Sequence, residues 1–583
     1  MTSAYATDPT ATNPHRLLYA GFMAILASGV GFSIRAGILG QWSDQYGFTQ
    51  SELGAITGGG LTGFGIIILL SALIADKIGY GALMITAFVM HLASAALTIA
   101  TGPAFAAGGK PAAFQCLFWG MFLFAVGNGI CEAVVNPLVA SLFPKQKTHY
   151  LNILHAGWPG GLIIGGLLSI AFTGESIFGW QPLAKPLMWQ AQILCFLVPV
   201  FVYGIMLLGQ RFPQSEASEQ GVSYKNMLRE LGILGGGVIC LFIGYFLYKD
   251  LTLPWIAAVA VAGGLWLAFS FATGFHLGPV LLAVMLVTHA LVGYVELGTD
   301  SWIGKITGAI LDSKQYGLML FVYTSSLMFI MRFFAGPIVE RTSPLGLLFA
   351  SGVLGATGLT LLGNANSIQF CVVAATVYAC GKTFLWPTML AVVSEQFPRG
   401  GAITIGAMGG VGMLSAGLLG GPGIGFQQDY YASEKLKAQP AVYELYKAEN
   451  ANSFLMFDTV GLDGAKVGVL ADNGKEAVRA LGVLKNDPKA EPKAVAEQEK
   501  LVGWWNGASK TAEADKALVD GAGLYGGRMA LKLTAAVPAV MALIYLSLML
   551  YFKAIGGYHA KEVITKHEEA LLMMGGVQGP SEY

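Results

Sequence analysis

The sequence predicts an all-α polytopic membrane protein, built as two six-helix bundles with two further helices inserted between them, about 14 transmembrane helices in total. Three observations carry this. Of 583 residues, 55% are hydrophobic and 12% charged, about half the roughly 25% charged content of a soluble domain. Apolar runs near the ~20 residues that a bilayer-crossing helix needs recur at 17–40, 53–75, 80–101, 113–142, 151–173, 187–209, 231–248, 254–273, 279–303, 316–339, 345–363, 368–394, 400–426 and 527–553. Finally, 127–144 (GNGICEAVVNPLVASLFP) aligns without a gap to 381–398 (GKTFLWPTMLAVVSEQFP), and the turn Ala75-Asp76-Lys77-Ile78-Gly79 has a counterpart in Val339-Glu340-Arg341-Thr342-Ser343. Each turn follows the second helix of its six. Duplicated halves of this kind occur in transporters, with the site at the interface between the repeats.

Taken in order, residues 1–16 are a polar tail, expected in the cytoplasm. The run from Leu17 to about Gly40 is too long for a signal-peptide core, so it is a retained first span and opens the bundle 17–210. Residues 211–278 form a linker and the inserted pair, LGILGGGVICLFIGYFLY and PWIAAVAVAGGLWLAFSFA, which contains no charge; these helices are expected to be peripheral or lipid-facing, without chemistry. The second bundle takes its first five helices from 279–426 and its last from 524–553, and 554–583 is a cytoplasmic tail. Between them, 427–523 is polar, mixes Lys and Glu at helical spacing and falls outside the membrane by parity, so short amphipathic helices are expected rather than strands. A cap over the outer mouth, a lobe docking an unknown partner and a simple spacer all remain open for it.

Basic residues orient the chain. With the N-terminus inside, His15, Arg16, Lys77, Lys145, Lys147, Arg211, Lys225, Arg229, Arg341, Arg399, Lys553, Lys561 and Lys566 fall on the inner side, against Lys110, Lys185, Lys249, Lys305 and Lys314 outside, the bias of a bacterial inner-membrane protein. Zero net charge gives no basic face for nucleic acid. The six cysteines lie in apolar segments with no C-x-x-C, as packing residues. No nucleophile–base pair, phosphate loop or metal-ligand spacing marks an enzyme or a cofactor.

Charge at membrane depth is costly and marks function by default. Glu132 shares a helix face with Asn128 and Asn136 at spacings of four; Asn152, His155 and Trp158 follow at spacings of three. On the ninth span His289, Gly293, Glu296 and Asp300 share another face. Arg35, Arg332 and Lys382 supply bases, while Trp302 and Trp386 add indoles. Amides and indoles suit a polyhydroxylated solute, since hydroxyls need donors and acceptors and an aromatic face covers a sugar ring. Each residue has a plainer alternative. Glu132 can simply neutralise Arg35 or Lys382, His155 can be a packing histidine, and Asp300, near the outer helix end, can be solvated. Arg332 is assigned a structural place near the cytoplasmic gate, and His91 one in the core. Asp76, Lys77, Glu340 and Arg341 sit at turns where breakable contacts can hold one conformation shut.

The loop Asp76-Lys77 with Gly79 resembles the signature of the major facilitator superfamily, with Ala72 replacing its first Gly and Gly336, Glu340 and Arg341 echoing it in the second half. More specifically, Glu132-x-x-x-Asn136-Pro137 followed by Leu151-Asn152-x-x-His155 resembles the fucose:proton symporter family, as do Tyr294, Val295, Thr299 and Trp302 on the ninth span. The resemblance covers the twelve-helix core. It implies a major-facilitator-type fold, a small-molecule solute, sugar by preference, and Glu132 as the protonatable coupling acid, with Thr299 and Trp302 at the solute. It departs at the first span, where the family carries an acid and this chain only Arg35, and at His155, commonly a glutamine. Glu296 and Asp300 add acids where the family is neutral, which leaves sodium coupling through them as the rival to protons. Export of amphiphiles, or reception of a ligand by the outer lobe, are the other expectations.

Overall fold

A backbone in hydrocarbon has no water to bond, so each crossing segment satisfies itself as helix. The computed structural model describes residues 12–46, 48, 50–172, 188–486 and 492–563; Lys185, Lys566, most of the N-terminal tail and the end of the C-terminal tail lie outside them. Among the described residues fourteen spans follow in order: Pro14–Gly37, Glu52–Ile78, Tyr80–Ile99, Thr101–Leu142, Lys147–Phe172, Trp189–Leu207, Tyr224–Lys249, Trp255–Thr273, Val280–Ile310, the bent pair Gln315–Arg332 with Ala335–Thr342, Pro344–Asn364, Ile368–Gln396, Pro398–Leu436 and Ala512–Ala554. Some helix starts carry side-chain caps. Asn13 accepts from the Arg16 amide ahead of Pro14, and Ser367 accepts from the Phe370 amide at the twelfth span.

Spans one to six and nine to fourteen form the two halves. Glycines let the helix backbones approach closely. A Cβ on Gly161 would lie 2.3 Å from the Leu26 carbonyl oxygen of the first span, and one on Gly293 only 1.9 Å from the Gly412 oxygen of the thirteenth. Across the seam, the second span meets the thirteenth, where Gly65 faces Leu414 and Ala72 faces Gly406, and the fifth meets the tenth, where Gly160 faces Phe329. Five spans are irregular near mid-membrane, the thirteenth through a π-turn over Ala416–Gly420 that lies against the ninth. The fifth is interrupted at Ala156, the twelfth at Thr383 and Phe384, the tenth bends by 66° after Arg332, and the ninth widens into a π-turn over Tyr294–Gly298.

The inserted pair is peripheral as expected, but its seventh span has one face in contact with the bundle: Ile239, Phe242, Tyr245 and Phe246 pack on Leu69 of the second span and on Leu414 and Leu418 of the thirteenth, covering the seam between the halves, while Leu241 and Tyr248 are exposed. The eighth is mainly lipid-facing, with Ile256, Val259, Leu265 and Phe271 exposed.

The polar insertion is carried on the helices of the thirteenth and fourteenth spans, which continue past the membrane to Leu436 and from Ala512. Helices Pro440–Tyr446, Gly464–Ala471, Lys475–Asn486 and Pro492–Ala508 close around a small core of Leu436, Tyr446, Val469, Leu470, Trp505, Ala508 and Val519. Burial, and then the neighbouring Asp515 carboxylate, push the Tyr446 phenol up to about 12. The insertion is mainly helical, as expected, and adds a two-stranded hairpin, Asn452–Phe454 with Phe457–Thr459, where strands were not expected.

Gly293→Ala is expected to lower the thermal unfolding midpoint in detergent, at a cost of about 1–3 kcal/mol from overpacking. Gly263→Ala, whose position faces open space, should leave it unchanged.

Candidate functional site

At the centre of the seam lies a cavity with an empty volume of about 440 Å³. Its polar lining includes Ser28, Asn128, Glu132, His155, Glu296 and Arg332, with the rings of Trp158, Trp386 and Phe64 between them.

Arg332 organises the charge. Its Nη2 donates to Glu296 Oε1 at 2.9 Å, its Nε to the Thr383 carbonyl at 2.9 Å and its Nη1 to the His155 carbonyl at 2.5 Å. The three acceptors belong to the π-turn of the ninth span and to the interruptions of the twelfth and fifth, places where a helix leaves groups without their usual partners. The Arg332 placement near a cytoplasmic gate is therefore overturned: the bend that follows it sets the side chain into the centre. Lys382 pairs with Asp300 and stands over the Tyr378 ring, so Asp300 is not merely solvated and Lys382 is not the partner of Glu132.

Arg35 does not reach the cavity either. It is enclosed inside the first half, donating to Ser94 Oγ at 2.8 Å and the Gly31 carbonyl at 3.2 Å, with its guanidinium 4.0 Å from the Phe124 ring centre and 4.9 Å from that of Phe196. Aromatic faces stabilise this cation in place of a carboxylate. Neither base expected beside Glu132 is there, and among the described residues no Lys or Arg forms an ion pair with it. Its Oε1 lies 3.4 Å from the donating Trp386 Nε1 of the opposite half and 3.6 Å from His155 Nε2.

The amides serve as struts. Asn136 donates to the Glu132 carbonyl at 2.8 Å, and its Oδ1 lies 2.8 Å from His155 Nε2, which fixes that ring beside the carboxylate. Asn128 Oδ1 pairs with His91 Nε2 at 2.9 Å, and His91 Nδ1 lies 3.0 Å from the Tyr203 hydroxyl, a satisfied core histidine. Asn152 crosses the halves to the Thr388 hydroxyl at 3.3 Å, below the cavity. Thr299 is buried without lining it. Trp302 stands outward of the cavity, donating to the Gly421 carbonyl with Lys305 over its ring. Trp158 Nε1 and Glu296 Oε2 are buried at the cavity wall without a protein partner.

Of the four turn residues, Asp76 crosses the seam, where its Oδ2 accepts from the Ala402 amide at 3.3 Å at a helix start of the thirteenth span. Lys77 lies over the Tyr224 ring at 3.7 Å; Glu340 and Arg341 are exposed. Sequence reasoning missed the principal bonds on this side: Lys147 to the Ser394 carbonyl at 3.2 Å, Thr148 to Glu395 at 3.2 Å and the Gly336 amide to His149 at 3.2 Å. All join the halves. On the lobe side, among the described residues, no hydrogen bond or ion pair links the first span to the ninth. Also missed were Phe64 and Met413, which apolar helices do not distinguish from packing; His289, named on the polar face of the ninth span, places its ring centre 4.6 Å from that of Trp386.

Two six-helix halves joined around a midplane cavity are the architecture of the major facilitator superfamily, and this chain has that fold. No family sequence model and no curated protein sequence matches it. Solved structures do. The E. coli fucose:proton symporter FucP is similar with a TM-score of 0.51 at 15% identity, over 71% of this chain and 92% of its own. A double-tryptophan variant of XylE gives 0.54 at 11%, over 96% and 98%, and the human organic anion transporter MFSD10 gives 0.50 at 13%, over 71% and 93%.

Arg332→Met leaves Glu296 buried without a counter-charge and is expected to cost about 3–5 kcal/mol, whereas Arg332→Met with Glu296→Met should recover most of it. Thermal unfolding of the detergent-solubilised single and double variants checks this.

Proposed function

We propose that the chain is a secondary active transporter that carries a monosaccharide or similar small polar solute into the cell by proton symport, through alternating access of its two halves. The observation that carries this is the state of the buried acids. Glu296 and Asp300 already hold Arg332 and Lys382. Glu132, equally buried at the seam, holds no such cation. A carboxylate withdrawn from water without a counter-charge favours its neutral form, so Glu132 is the acid suited to load and unload a proton. The same pairing argues against sodium, whose oxygen ligands would have to come from carboxylates committed to bases.

The cavity wall suits hydroxyls. Trp158 Nε1 offers a donor and Glu296 Oε2 an acceptor, each without a protein partner, while the indoles of Trp158 and Trp386 present faces for the C–H side of a sugar ring. FucP carries fucose with protons, which agrees with this assignment. In the cycle, Glu132 takes a proton from the outer side and the solute binds between Trp158 and Trp386. The bonds of Lys147, Thr148 and Asp76 across the seam then give way, and loss of the proton to the cytoplasm accompanies release. Arg332, fixed to the His155 carbonyl, holds the histidine that faces Glu132. The outer lobe rides on the second half and enters none of these steps.

Glu132→Gln mimics the protonated acid. In proteoliposomes it is expected to abolish accumulation of labelled sugar driven by a proton gradient while retaining counterflow exchange. Accumulation by the wild type should persist in sodium-free buffer at fixed pH. Concentrative uptake by the Gln variant would remove Glu132 from the coupling role; loss of wild-type uptake without sodium would favour the sodium reading.

A further inference from the structure

The lobe hairpin turns on Leu455 and Met456, between the paired Phe454 and Phe457. Two-residue hairpin turns favour Gly or Asn where the backbone takes a positive φ. Here Leu455 takes φ 54°, a conformation that strains a bulky side chain. The same turn leaves its side chains bare: Leu455, Met456 and Phe457 are 54%, 84% and 60% exposed. A tip serving only to reverse the chain in water would be better built from the usual turn residues, so its apolar side chains point to a contact outside the polypeptide.

Its position indicates what that contact is. Lys249, the last residue of the seventh span, donates to the Ser453 carbonyl at 2.9 Å, and the Leu455 backbone lies beside the hydroxyl of Tyr245, one turn further into the span. The tip therefore stands level with the end of a membrane helix. Around it the lipid-facing surface continues through Tyr248, Leu251, Trp255 and Ile256, all exposed, and aromatic residues with a lysine at this level are what the headgroup boundary selects. At the root of the hairpin, Phe454 packs on Phe426 of the thirteenth span, ring centres 5.9 Å apart, so the hairpin is held against the bundle while its tip is left free.

We propose that Leu455, Met456 and Phe457 insert into the headgroup–acyl boundary of the lobe-side leaflet and fasten the lobe to the bilayer beside the seventh span. Phospholipid acyl chains would continue this apolar belt at the height of the tip. Shallow insertion of a few large apolar side chains is the mode of interfacial membrane binding. Since the seventh span covers the seam between the halves, the anchor ties the lobe to the element that lies across both.

The test uses the full chain in phosphatidylcholine–phosphatidylglycerol proteoliposomes, with Met456→Cys carrying an NBD maleimide and Ser509→Cys, on the exposed lobe surface, as reference. Wild type treated in parallel supplies the background of the six native thiols. Lipids spin-labelled high on the acyl chain should quench the label at 456 about twofold or more and leave 509 bright, while aqueous iodide should do the reverse. In a background of Leu455→Gly with Phe457→Ser, a turn free of its strain but without its apolar side chains, lipid quenching at 456 should fall and iodide quenching should rise. Iodide quenching at 456 equal to that at 509 would overturn the proposal. So would protection from both quenchers, which marks a protein cover by a second copy or another partner, and so would lipid quenching unchanged by the double substitution.

Discussion

One guanidinium holds the centre of this protein together. Helices that break inside a membrane leave carbonyls without donors, and buried carboxylates need counter-charge; either alone is unfavourable in hydrocarbon. Arg332 answers both, because its planar fork presents several N–H donors in fixed directions. It binds the His155 carbonyl where the fifth span is interrupted, the Thr383 carbonyl where the twelfth is, and Glu296 in the widened turn of the ninth. The irregular points of three spans thus stabilise one another through one side chain, and the bond to His155 also joins the two halves at mid-membrane.

This arrangement divides the charges unequally. The second half closes its bases on its own acids, Arg332 on Glu296 and Lys382 on Asp300. The first half shields Arg35 among aromatic rings and leaves Glu132 without an ion pair to any Lys or Arg among the described residues, its Oε1 accepting from the Trp386 indole across the seam. Halves that look like duplicates in sequence therefore differ in charge arrangement, the second with its buried bases paired to its own acids and the first with a buried acid that no Lys or Arg pairs among the described residues. Close glycine contacts hold the second span to the thirteenth and the fifth to the tenth, while the bonds of Lys147, Thr148 and Asp76 are few, polar and confined to the side of the termini. Such bonds can break without disturbing the core.

The fold was legible because hydrocarbon imposes a length and a composition on every crossing segment, and all fourteen apolar runs are helices in the order expected. Cavity residues were legible in part. Glu132, His155, Trp158, Glu296 and Trp386 stood out as polar or aromatic groups at helical spacing. The pairing of charges was not, because it depends on how spans lean and break: no periodicity shows that Lys382 turns to Asp300, that Arg332 reaches the centre, or that Arg35 finds phenyl rings. The contact of the seventh span with the seam was hidden for the opposite reason. A charge-free helix reads as lipid-facing whether its apolar surface meets lipid or the seam between two bundles. In the lobe, alternating charge announced helices but not a three-residue strand pair.

The central claim is that Glu132 carries the transported proton. The most direct measurement loads proteoliposomes with a pH-sensitive dye and adds sugar at equal pH on both sides, with potassium and valinomycin clamping the voltage and sodium absent. The account predicts that a transported sugar acidifies the lumen through the wild type, and that Glu132→Gln admits the same sugar down its gradient without moving protons. Equal acidification through the variant, or sugar entry through the wild type with no proton movement, would contradict it.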